Sequence, residues 1–150
     1  MKPLIVLLAS FTFALIGIRL TLGYFDFTLA GRIAMSIMLL FTAIGHFAFT
    51  KGMAMMIPQF IPFKTALVYL TGIFEIAAAA GLLIPSLYTT TAWLLIAFFV
   101  LMLPANIYAA INKVDYQKGD NNGSGINYLW FRVPLQALFI GWVFCSCICC

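Results

Sequence analysis

Residues 88–111 read Tyr-Thr-Thr-Thr-Ala-Trp-Leu-Leu-Ile-Ala-Phe-Phe-Val-Leu-Met-Leu-Pro-Ala-Asn-Ile-Tyr-Ala-Ala-Ile, without one charge. A helix needs about 20 mostly apolar residues to cross a bilayer, and this stretch is long enough, with Pro104 and Asn106 as its marked interruptions. Working outward, the chain divides at its charges and its Pro, Gly and Asn clusters into four more such stretches, at 3–24, 30–50, 65–84 and 127–147. Composition agrees: of 150 residues 65% are hydrophobic and 8% charged, and the mean hydropathy is +1.10. A soluble domain carries roughly 25% charged residues, so a soluble globular protein, a disordered chain and a nucleic-acid binder are all excluded. The eight Lys and Arg stand singly and make no basic stripe. The expected fold is all-α, a polytopic membrane helix bundle forming a single domain over 1–150. The first stretch follows Lys2 as a signal peptide would, but it is long, Arg19 interrupts its end and no clean small-x-small site follows. It reads as a span.

The charges sort by side. The N-terminus, the 51–64 connection and the 112–126 connection carry Lys2, Lys51, Lys64, Lys113 and Lys118, whereas the other side has Arg32 with Arg19 near it. The positive-inside rule makes the lysine side cytoplasmic and leaves the C-terminus outside. Trp93 and Trp142 then fall toward the outer half and Tyr116, Tyr128 and Trp130 near the inner boundary, as interfacial anchors would.

Five polar side chains fall inside the spans: His46, Glu75, Asn106, Arg132 and Gln136. At about 1.5 Å per residue, His46, Asn106 and Arg132 lie roughly 8–9 Å from the inner boundary, Gln136 about 14 Å and Glu75 about 16 Å. Four helices thus place polar groups in the same half of the bilayer, where each needs a partner, a cavity or a function. Arg132 and Gln136, four apart, share a helix face, and the reach of arginine predicts a Glu75–Arg132 pair, with Gln136, His46 and Asn106 completing the hydrogen bonds. Small residues from Gly72 to Gly81 let neighbouring helices approach, and Pro104 leaves the carbonyl of Val100 without its helical donor. The group serves as a buried polar knot, as a pocket for a ligand head, or in a proton- or redox-linked role. His46 alone makes no metal site, since no second ligand stands at a suitable spacing.

The 51–64 connection, with Met53, Met55, Met56, Ile57, Pro58, Phe60, Ile61, Pro62 and Phe63, is too apolar for an aqueous loop and too broken to span. It reads as a lid in the inner interface. All four cysteines crowd into Cys145-Ser-Cys147-Ile-Cys149-Cys150, a spacing that leaves a plain tail, lipidation and redox pairing all open. No nucleophilic triad, phosphate loop or dinucleotide fingerprint is present.

Several motifs recur as an ordered set: Gly45-His46-Phe47, Ile57-Pro58-x-Phe60-Ile61-Pro62, Tyr69-Leu-x-Gly72-x-x-Glu75-Ile76, Leu103-Pro104-Ala105-Asn106-Ile107-Tyr108 and Leu129-Trp130-x-Arg132-x-Pro134-Leu135-Gln136. Over about residues 31–142 the chain resembles the DoxX-like family of small integral membrane proteins. That resemblance implies a four-helix core from the second to fifth spans, with one additional N-terminal transmembrane helix and a Cys-rich tail outside the pattern. It also implies an association with thiosulfate:quinone oxidoreductases or oxidant-detoxifying membrane complexes. The expected function is to bind a small amphipathic ligand, a quinone or a lipid, in a polar inner-half pocket of the inner or plasma membrane. The alternatives are a membrane subunit of a quinone-linked oxidoreductase, which would borrow its redox centre from a membrane or soluble partner, and an assembly or interaction protein.

Overall fold

The computed structural model describes residues 2–123 and 125–149. These form α1 (Lys2–Leu22), α2 (Phe27–Ala48), the short α3 (Thr50–Met55), α4 (Lys64–Gly81), α5 (Tyr88–Ile111) and α6 (Ile126–Cys147), with no strand among them. All except α3 are long and apolar enough to cross a membrane. The five expected spans are these five helices, with edges moved by a few residues; α3 was not anticipated.

In lipid both faces of a helix are apolar, so packing is set by residue size more than by polarity. The central helix, α2, buries a stripe of small and flexible residues, Ala30, Gly31, Ala34, Met35, Met38, Leu39 and Ala43, and packs against α1, α4 and α6. On α4 the buried positions Val68, Gly72, Glu75 and Ala79 recur every three or four residues, one stripe turned toward α2. On α5 they are Ala92, Leu95, Phe99, Asn106 and Ala109, and on α6 Gln136, Phe139, Val143 and Cys147. These stripes meet in one apolar core to which α1 contributes Leu7. Trp142 belongs to this packing: its Nε1 donates to the Gly31 carbonyl at 3.1 Å, and Phe11 meets its ring edge-on at 4.9 Å. Trp142 thus also serves helix packing, its one donor finding a backbone acceptor on α2. The side chain of Tyr128 lies outside the described residues.

Asp26 caps α2, its Oδ1 accepting from the Leu29 amide at 2.9 Å and the Thr28 hydroxyl at 2.8 Å. The expected lid over 51–64 divides in two. Its first part is α3, where a Cβ on Gly52 would stand 1.9 Å from the Tyr116 carbonyl oxygen, so the 112–126 connection is pressed directly on the helix. Met56, Ala109 and Val114 are buried together there, with Met55 and Tyr116 against them. The second part turns outward, leaving Phe60 84% and Phe63 83% exposed. Cys147 is buried while Cys145 and Cys149 are exposed; Cys150 lies outside the described residues.

Candidate functional site

The five polar residues named above fall into two groups on two helix pairs. His46 comes from the last turn of α2, and Glu75 faces it from α4. A Cβ on Gly72 would lie 3.0 Å from the His46 Cβ and 3.3 Å from the Phe47 ring, so glycine is what lets these helices meet. Thr71, one turn before Glu75 on the same face, has its Oγ1 2.8 Å from the Val68 carbonyl and 3.1 Å from His46 Nδ1. A hydroxyl has one proton and a carbonyl can only accept. The closer carbonyl takes that proton, so His46 Nδ1 donates to Thr71 and Nε2 is turned to Glu75.

His46 Nε2 lies 3.5 Å from Glu75 Oε1, an ion-pair distance but long for a hydrogen bond. Glu75 is 5% exposed, and its Oε2 is sealed from solvent with no hydrogen-bond partner. Burying such an oxygen without a partner is costly. The pair sets an imidazole nitrogen against a carboxyl group and presents an unused acceptor beside it.

On α5 and α6 the polar side chains are bonded to one another. Arg132 donates to Asn106 Oδ1 at 2.6 Å, Asn106 Nδ2 donates to Gln136 Oε1 at 3.3 Å, and Gln136 Nε2 donates to the Phe99 carbonyl. That carbonyl adjoins Val100, whose helical donor Pro104 removes, so Gln136 serves backbone in the stretch where the proline disturbs the ladder. Tyr116 lays its ring 5.4 Å from the Arg132 guanidinium carbon and meets the Phe49 ring edge-on at 6.2 Å. It ties the covering loop to this cluster.

The expected Glu75–Arg132 pair does not form. Glu75 takes His46 and Arg132 takes Asn106, because α4 packs on α2 and α6 packs on α5. Thr71, Tyr116 and the Phe99 carbonyl were missed from sequence; the four-residue spacing of Thr71 and Glu75 was a signal for the first. A cavity of about 130 Å³ between α5 and α6 meets the cluster through Gln136 and is otherwise walled by apolar side chains such as Phe99, Leu103 and Ile140. Of the five residues, Gln136 is the one that lines it.

Away from both groups, Ser36 Oγ on α2 lies 2.9 Å from the carbonyls of Arg32 and Ala79, a polar tie to α4. The Arg32 guanidinium stands over the Tyr88 ring at 4.4 Å, and its Nε is buried without a partner.

Residues 35–147 match the model of a family described as Domain of unknown function (DUF8561), and since this covers most of the chain, the protein belongs to that family. No curated protein and no solved structure matches it.

Proposed function

We propose that this protein is a DoxX-like membrane protein that binds the polar head of a small amphipathic molecule, a quinone or a lipid, against His46 and Glu75. The observation that carries the reading is Glu75 Oε2, buried without a partner in a bundle where the other cluster is internally bonded. A hydroxyl or amide, such as that of a quinol or of a lipid headgroup, would supply the missing donor, since a quinone carbonyl can only accept, and His46 Nε2 offers a second polar contact on the same molecule. Specificity in such a site comes from a few placed polar groups among apolar walls. The distribution of lysines supports an inner or plasma membrane placement, with the N-terminus and the 112–126 connection cytoplasmic and the C-terminus outside.

The test is native mass spectrometry of protein purified in mild detergent, followed by extraction and identification of what it carries. Wild type should retain a quinone or lipid that Glu75→Gln loses while keeping its helical circular dichroism. A folded Glu75→Gln variant that retains the same molecule in the same amount would refute the assignment.

A further inference from the structure

The half of α2 nearer the α1–α2 turn carries a cation with an unusual environment. Arg32 is a fixed positive charge, since guanidinium does not deprotonate in proteins. It lies in a helix long and apolar enough to cross a membrane, where an unpaired charge is costly. Among the described residues its side chain makes no hydrogen bond and no ion pair, and its Nε is sealed without a partner. The Tyr88 ring supports the guanidinium at 4.4 Å. Such a contact steadies a cation while leaving the N–H donors at its edge unused. Asp26, the carboxylate nearby, feels the Arg32 charge but makes no ion pair with it, its Oδ1 accepting from the Leu29 amide and the Thr28 hydroxyl.

The second contribution comes from α5. It begins at Tyr88 with no side-chain cap; the Tyr88 amide is bonded to the Ile84 carbonyl at 3.1 Å, and what the helix start adds beside the guanidinium is the partial positive charge of its dipole. The contrast with Arg132, whose guanidinium is bonded to Asn106, shows that this bundle can satisfy an arginine from within. At Arg32 it does not.

We propose that Arg32, backed by Tyr88 and the uncapped start of α5, is a binding site for a phosphate group, carried by a lipid headgroup or free in solution. The guanidinium fork suits two phosphate oxygens at once, and its position one to two turns into α2 is within reach of headgroups by extension of a long side chain. This site is independent of the His46–Glu75 reading.

The experiment uses full-length protein stripped of lipid by detergent exchange, titrated separately with phosphatidylglycerol and with inorganic phosphate, and read by native mass spectrometry and thermal shift. Wild type should hold one phosphatidylglycerol per chain, with affinity lowered at least fivefold in Arg32→Gln, partly restored in Arg32→Lys and unchanged in Arg19→Gln. If inorganic phosphate but not the lipid raises the Tm of wild type, and does so less in Arg32→Gln, the site stands and its anion comes from solution. Equal binding by wild type and Arg32→Gln, or no response to either source, would overturn the proposal. Should Arg32→Gln not fold, Tyr88→Leu carries the test: it leaves the charge, and a fully retained affinity would overturn the site equally.

Discussion

The α5–α6 cluster and the α2–α4 cluster are built from similar residue types in one bundle, yet they differ in what is left over. In the first, a donor chain runs from Arg132 through Asn106 and Gln136 to a backbone carbonyl, and Tyr116 covers the guanidinium. In the second, His46 is oriented by Thr71 toward a carboxylate whose Oε2 has no partner. A bonded network in a low-dielectric interior fixes structure; a half-satisfied one costs stability and asks for a reason. The comparison separates a helix pair whose polar groups are bonded to one another from one that leaves a carboxylate oxygen unpartnered.

The hardest way to break it is from outside. Gly52→Val should be the most destabilising change considered, because its Cβ would meet the Tyr116 carbonyl at 1.9 Å and backbone cannot yield as a side-chain end can. Overpacking costs roughly 1–3 kcal/mol and sometimes more; here it also lifts Tyr116 from Arg132. Thermal unfolding in detergent should show a lowered Tm, and an unchanged Tm would mean that the covering loop is not docked on α3. Next comes Arg132→Leu, which strips Asn106 Oδ1 of its donor at a cost of about 1–3 kcal/mol. The double change Asn106→Leu with Arg132→Leu should cost less than the sum of the singles, as expected for bonded neighbours.

What the sequence made legible follows from the same physics. Five apolar stretches announce five helices because the bilayer sets their length, and the edges shifted where local chemistry decided them: Asp26, followed by Thr28, starts α2 earlier than the apolar run suggests. Depth singles out all five polar residues, but depth is a single coordinate. Which helices are neighbours, and therefore that Glu75 meets His46 and not Arg132, depends on packing that the spacing of charges does not encode. The surroundings of Arg32 were hidden for the same reason, since along the chain it serves only to mark a side.

A smaller effect gives a scale outside both clusters. The Leu29 amide, with the Thr28 hydroxyl next, holds the Asp26 carboxyl below its ordinary value despite some opposing burial. Its contribution is therefore present above the ordinary carboxylate pKa and lost as pH falls through the lowered one. Asp26→Ala should cost about 0.5–1 kcal/mol at neutral pH as a lost helix cap, at the low end because the site is near the surface. The gap in Tm between variant and wild type should narrow in acid; a constant gap would show that the carboxylate charge is not what caps α2.

The smallest expected change in stability belongs to the cluster proposed to bind. Replacing both partners, His46→Leu with Glu75→Leu, removes an imidazole and a carboxyl whose mutual contact is 3.5 Å and whose Oε2 is unpartnered. Few protein bonds are lost, chiefly the one from His46 to Thr71, and the desolvation of the pair disappears with it. Exchanges of buried ion pairs for apolar residues of similar volume are often neutral or stabilising, so the Tm in detergent should stay within the equivalent of about 1 kcal/mol or rise. The parallel exchange on α5–α6, Asn106→Leu with Gln136→Leu, should lower it, because Arg132 then loses its bond to Asn106 and the Phe99 carbonyl its bond from Gln136. If the first exchange destabilises as much as the second, His46 and Glu75 are structural, and the difference between the two helix pairs is one of geometry alone.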